Sequence, residues 1–198
     1  MSKASNLYYS LDALPASARG SLLAIGNFDG VHLGHQAVIR QAREHADRLG
    51  CPLGVMLFNP HPRQFFAPDA PPFRLTRLPT RARLLAGLHV DFTLALPFNA
   101  DLAACPAPQF IDTILVDGLG IAGVSVGHDF QFGKDRQGTP DMLHQRGAEA
   151  GFEVFVTPAL LQADNQAPYS SSAIRKLLRD GDVRAAAVLM GHSWSIEG

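Results

Sequence analysis

The chain is poor in cysteine, in lysine and in net charge, and each shortage removes a class of function. Two cysteines, Cys51 and Cys105, cannot build a disulfide framework, and no Cys-x-x-Cys pair is present. A formal charge of −1 over 198 residues gives no broad field for nucleic acid, so any anion site must be local. Lysine stands only at Lys3, Lys134 and Lys176; the other cations are arginines, whose planar fork suits phosphate or carboxylate. No apolar run approaches the roughly 18 residues of a membrane span, and the N-terminus lacks a secretory pattern. The expectation is a cytoplasmic protein without membrane or nucleic-acid partners, its oligomeric state unknown. With 46% hydrophobic and 18% charged residues, the composition is that of one soluble globular domain.

Short apolar or β-branched runs alternate with helical patterns. Strands are expected over 21–25, 53–58, 92–96, 122–126 and 153–156. The spacing predicts a helix over 34–49, where Val38, Ala42, Ala46 and Leu49 recur at helical intervals before a Gly50 cap. Further helices are expected over 80–88, 108–119 and 142–150, with two closing helices over 171–179 and 182–190 parted by Gly181. The segment 59–79, rich in proline and arginine, reads as a long loop, as does 127–138; loops of that length usually carry function. This alternation specifies an α/β fold: a Rossmann-like, doubly wound parallel sheet in a single domain, binding ligands beyond the carboxyl ends of its strands. No internal repeat is visible.

The densest chemistry lies at Ile25-Gly26-Asn27-Phe28-Asp29-Gly30-Val31-His32-Leu33-Gly34-His35-Gln36, where a buried strand should turn into an amphipathic helix. A helix start has unpaired N–H groups and partial positive charge, so it suits phosphate. Two imidazoles three residues apart add donors, and Gly26, Gly30 and Gly34 let backbone approach a bulky anion. His-x-x-His is also a metal-ligand spacing, but zinc needs further ligands, for which only His61 or a carboxylate is at hand. A purely structural pair is the third reading.

Ser170-Ser171-Ser172-Ala173-Ile174-Arg175 opens a helix. Serines there are first of all caps, whereas Arg175, one turn in, opposes the helix dipole and asks for a nearby anion. The run from Val126 to Gly138 sets Asp129, Phe130, Phe132, Lys134 and Arg136 on a glycine-containing loop; a solvated turn is the plain alternative. Phe58-Asn59-Pro60-His61-Pro62-Arg63-Gln64-Phe65-Phe66 holds His61 between prolines and offers Phe65 and Phe66 for stacking on a flat ring or for packing on the core.

The string Gly-Asn-Phe-Asp-Gly-Val-His-Leu-Gly-His-Gln resembles one branch of the nucleotidyltransferase superfamily, the FMN adenylyltransferase module of bacterial bifunctional riboflavin kinase/FAD synthetases. The serine segment is similar to that family's Ile-Ser-Ser-Thr-x-x-Arg signature, and the loop to its Val-Gly-x-Asp-Phe-x-Phe-Gly-x-x-Arg-x-Gly. A Phe-x-Pro-x-Pro stretch completes a resemblance over residues 21–198. It implies the reaction FMN + ATP → FAD + pyrophosphate. It further implies His32, His35 and Arg175 as the catalytic group, and Gly26, Asn27, Phe28, Asp29, Gly34, Ser171 and Ser172 around ATP. Asn59, Phe65, Asp129 and Phe130 are implied around FMN or FAD. Mg²⁺ is implied between phosphate oxygens, mainly with water and without a protein ligand set.

Three departures stand out: Tyr169 in place of an aliphatic residue, Ser172 in place of threonine, and Pro168 where relatives often carry a base. An adenylyltransferase domain is expected over 1–185, with 186–198 leading toward a riboflavin kinase module that the sequence lacks. Riboflavin phosphorylation is therefore not expected. Two competitors remain: another His-x-Gly-His transferase, such as one acting on phosphopantetheine, and a non-catalytic flavin or nucleotide sensor.

Overall fold

Alternate residues of the central strands are buried on opposite faces, so both faces of the sheet must be covered. The computed structural model describes residues 6–71, 73–162 and 167–194. Its strands are β1 (Leu7–Tyr8), β2 (Leu22–Ile25), β3 (Leu53–Asn59), β4 (Phe92–Pro97), β5 (Gly123–Gly127) and β6 (Glu153–Thr157). They form one wholly parallel sheet in the order β1-β4-β3-β2-β5-β6. On one face, Leu22, Ala24, Val55 and Leu57 pack against Ile39, Ala42 and Ala46 of α1 (Leu33–Leu49) and Leu85 of α3 (Leu78–Gly87). On the other, Leu23, Ile25, Met56 and Leu94 join Phe110, Ile111, Leu115 and Leu143. Each fully buried Val, Leu, Ile, Met or Phe among them contributes roughly 1.5–3 kcal/mol.

The expected α/β architecture is present, with differences in detail. The expected strands are joined by a sixth, β1, whose two residues add to the free edge of β4. The expected loop over 59–79 contains α2 (Pro62–Phe66) and the first turn of α3. The short α4 (Ala100–Ala104) was likewise not foreseen. The helix expected over 108–119 divides into α5 (Ala107–Phe110) and wider π-helical turns over Ile111–Gly118. Helix α1 follows its pattern closely: Gly50, at φ 66, closes it in the left-handed conformation.

Helices α6 (Pro140–Ala150), α7 (Ser171–Arg179) and α8 (Val183–Met190) complete the fold. Helix α8 runs through the 185/186 position, and its Ala186 and Met190 are buried with Leu75 and Ile174. Residues 195–198 of the expected C-terminal segment lie outside the described residues. No helix of the described residues is long and apolar enough to cross a membrane. Successive crossovers leave β2 on opposite sides, toward β3 and toward β5, so the crevice beyond its carboxyl end is a topological switch point.

Candidate active site

Beyond β2 the chain turns sharply before α1 begins. Gly26 lies under the Phe28 ring, where a Cβ would come within 3.2 Å of the ring carbons. Phe28 and Val31 both hold positive φ, at 48° and 41°, conformations that cost strain in residues with side chains. This turn delivers His32 to the N-cap of α1, where its Nδ1 accepts the His35 backbone N–H at 3.3 Å. The two imidazoles then stack, with centroids 3.5 Å apart and planes 21° apart. Phe28 meets His35 edge-on at 5.3 Å.

Burial pushes the His32 pKa down to about 4, with Asp29 opposing the shift and Arg175 adding to it. Burial also holds His35 well below its ordinary value, helped by His32, Arg81 and Arg175. Both rings are therefore neutral. With its Nδ1 accepting, His32 carries its proton on Nε2 as a donor. His35 lines the cleft, and its Nδ1 is buried without a partner.

Asp29 is 1% exposed, and five donors converge on it. Its Oδ1 accepts from the Thr76 amide, the Thr76 hydroxyl and Arg81 Nη2, and its Oδ2 from Arg175 Nη2 at 2.8 Å. The Leu75 amide is shared by both oxygens. Burial alone would raise the Asp29 pKa; Arg81 and the hydrogen bonds from Leu75, Arg175 and Thr76 outweigh it and lower it. The cation at Arg175 thus finds its nearby anion within the chain. Ser170 is the N-cap of α7, accepting the Ala173 amide, while the Ser171 hydroxyl donates to the Asp29 carbonyl at 2.9 Å. Arg81 Nη1 donates to the Asn27 carbonyl at 2.8 Å, which ties α3 to the same turn.

These segments wall a cleft of about 1170 Å³. That is slightly above the roughly 300–1,000 Å³ of a single-ligand pocket. Of the residues expected there, Gly26, Asn27, Phe28, Asp29, His35, Phe65, Asp129, Phe130, Ser171 and Arg175 line it. His32 and Gly34 do not line it: the His32 ring is buried and stacked on His35, and a Cβ at Gly34 would come within 3.1 Å of the Tyr169 Cβ and 3.2 Å of the His32 ring. Asn59 and Ser172 do not line the cleft; Ser172 is exposed. At the far end, Phe65 and Phe66 meet Phe98 edge-on at 5.3 and 5.8 Å, and Phe130 stacks on Phe132.

Arg81, Thr76 and Phe98 escaped the sequence reading. Arg81 shares the apolar stripe of α3 with Leu78, Ala82 and Leu85, and an arginine on a buried stripe was the available signal. No cluster of three or more His, Cys, Asp or Glu suited to a metal occurs among the described residues. Asp29, the motif carboxylate, is already saturated by donors, so the residues present do not fit a protein-held metal ion.

A parallel α/β sheet with two neutral imidazoles and a serine–arginine helix start at its switch point belongs to the class that handles anionic ligands in that crevice. A family model for FAD synthetase matches residues 14–173, and the chain belongs to that family. It is 43% identical over 180 residues to a bifunctional riboflavin kinase/FMN adenylyltransferase of Pseudomonas fluorescens, covering 91% of this chain and 57% of that protein. The protein of the same description from Escherichia coli K12 is 39% identical over 183 residues, covering 92% and 58%. The chain therefore spans less than two thirds of the length of these relatives. A crystal structure of a macrolide-efflux protein from Streptococcus pneumoniae shares the fold, with a TM-score of 0.81 and 25% identity over 95% of this chain and 60% of that one.

Proposed function

We propose that this chain makes FAD by transferring AMP from ATP to FMN with release of pyrophosphate. An oxygen of the FMN phosphate attacks the α-phosphorus of ATP. A new P–O–P linkage forms, the bond from that phosphorus to the bridging oxygen of the β-phosphate breaks, and pyrophosphate leaves. The attacking phosphate is already ionised, so the step requires no general base. It requires positioning and donors aimed at developing charge.

The observation that carries this reading is the stacked His32–His35 pair, neutral at the N-terminus of α1 and opening through His35 onto the cleft. Neutral imidazoles are poor electrostatic anchors but suitable hydrogen-bond donors. Ser171 and Arg175 line the same cleft from α7. Magnesium would accompany ATP, with no set of His, Cys, Asp or Glu ligands to hold it among the described residues, and would supply neutralisation of phosphate charge.

The test is chromatographic. Wild-type protein incubated with FMN, ATP and Mg²⁺ should yield FAD and pyrophosphate in equal amounts. His35→Ala should stay folded by circular dichroism and lose activity by a factor on the order of 10²–10³, as when one charge-stabilising donor is removed. Full activity in the folded variant would reject the role of His35. Adenylylation of phosphopantetheine but not FMN would move the protein to another branch, and binding of both substrates without turnover would make it a sensor.

A further inference from the structure

His61 belongs to none of the roles assigned above, yet it lies in the same cleft. It caps α2 by accepting the Arg63 amide on Nδ1 at 3.0 Å, so its proton resides on Nε2. Its ring stands edge-on to Phe73, with centroids 5.0 Å apart and planes at 83°. Two guanidiniums lie over that phenyl ring, Arg63 at 4.9 Å and Arg175 at 5.3 Å from its centroid. The Phe73 carbonyl also accepts Arg175 Nε at 2.6 Å. One aromatic ring thus gathers a neutral donor and two cations.

The local charge is uneven. Asp29 serves both Arg81 and Arg175, and no carboxylate lies within ion-pair distance of Arg63 among the described residues. We propose that His61, Arg63 and Arg175, arranged around Phe73, grip the phosphate monoester of the flavin acceptor. This rests on the adenylyl-transfer reading. The same oxyanion chemistry is offered by the terminal phosphate of ATP, but the aromatic residues of α2 decide between them. Phe65 and Phe66 follow Arg63 on the same short helix, past Gln64, and meet Phe98, which sets an aromatic platform on the element that carries Arg63. Burial, reinforced by Arg81, Arg175 and Arg74 against the opposing field of Asp29, brings the His61 pKa to about 4. The ring therefore donates without adding charge.

His61→Ala and Arg63→Ala should each raise KM for FMN and weaken FMN binding in equilibrium dialysis by about tenfold or more, the scale of a hydrogen bond to a charged group. KM for ATP and binding of riboflavin, which lacks the phosphate, should stay at wild-type values. His61→Gln keeps a neutral N–H donor and should recover most of the FMN affinity. Equal weakening of FMN and riboflavin would overturn the proposal in favour of a packing role. A raised KM for ATP with unchanged FMN binding would overturn it in favour of the nucleotide, and unchanged FMN binding in both alanine variants would overturn it outright. A wild-type protein that prefers FMN to riboflavin, loses the preference in these variants and yet forms no FAD would support the grip while refuting adenylyl transfer.

Discussion

His32 is almost fully buried and its Nδ1 is taken by an amide, so protonating it removes both a cap and an apolar environment. Its pKa falls from 6.5 to about 4 on folding. As pH drops, the unfolded chain therefore takes up the proton first. The stability tied to neutral His32 is complete above about 6.5 and is lost between there and about 4, up to roughly 3 kcal/mol. Asp29 works in the same direction lower down: its stabilising contacts hold above its ordinary 3.8 and are lost below that value as the carboxylate protonates. Urea midpoints measured at about pH 7 and about pH 4.5 should differ clearly in the wild type and by a smaller amount in His32→Asn, which keeps a capping acceptor but does not titrate. The remaining difference comes from His35 and His61, which are also held below their ordinary value. Arg81→Ala should be far more damaging at neutral pH. Removing one partner of a buried ion pair costs about 3–5 kcal/mol, and here Asp29 would keep only Arg175 as a cationic partner.

At the level of elements, the site depends on how loops are pinned to neighbouring helices. Gly133 is at φ 72, and a Cβ there would meet the backbone N and Cα of Ala107 at 2.7 Å. Gly133→Ala should lower the melting temperature through a cost of about 1–3 kcal/mol and raise KM for the flavin as the 128–138 loop shifts from α5. Chain order and side-chain type explain what was legible beforehand. Helix α1 announces itself through Val38, Ala42, Ala46 and Leu49 at helical spacing and through Gly50, all local signals, although the structure buries Ile39 in full and Val38 and Leu49 only in part. Strand β1 has two residues, too few for any period, and exists only because β4 offers an edge. Helix α2 is hidden because Pro60 and Pro62 read as breakers, although Pro62 sits at the helix start, where its missing N–H costs nothing. Arg175 in the first turn of a helix asks for an anion, which the sequence suggests is phosphate; no local pattern could say that Asp29, 146 residues away, supplies a carboxylate.

Over the whole molecule, Asp29 is where distant parts of the chain meet: Leu75 at a separation of 46 residues, Arg81 at 52 and Arg175 at 146. The carboxylate therefore acquires its full set of partners only when the two halves of the sheet, α3 and α7 have docked. The last described residue, Trp194, joins the same junction, its indole Nε1 donating to the Leu75 carbonyl at 2.9 Å. It is the single tryptophan of the chain. The protein thereby carries its own optical gauge, one peptide unit from the carboxylate that braces the cleft. Emission from Trp194 should shift to longer wavelength in Arg81→Ala under conditions where circular dichroism still reports a folded sheet. A coincident change in both signals would mean that the junction has no stability of its own to lose. In the wild type, ligands that draw on Arg175 should be visible in that emission without any added label.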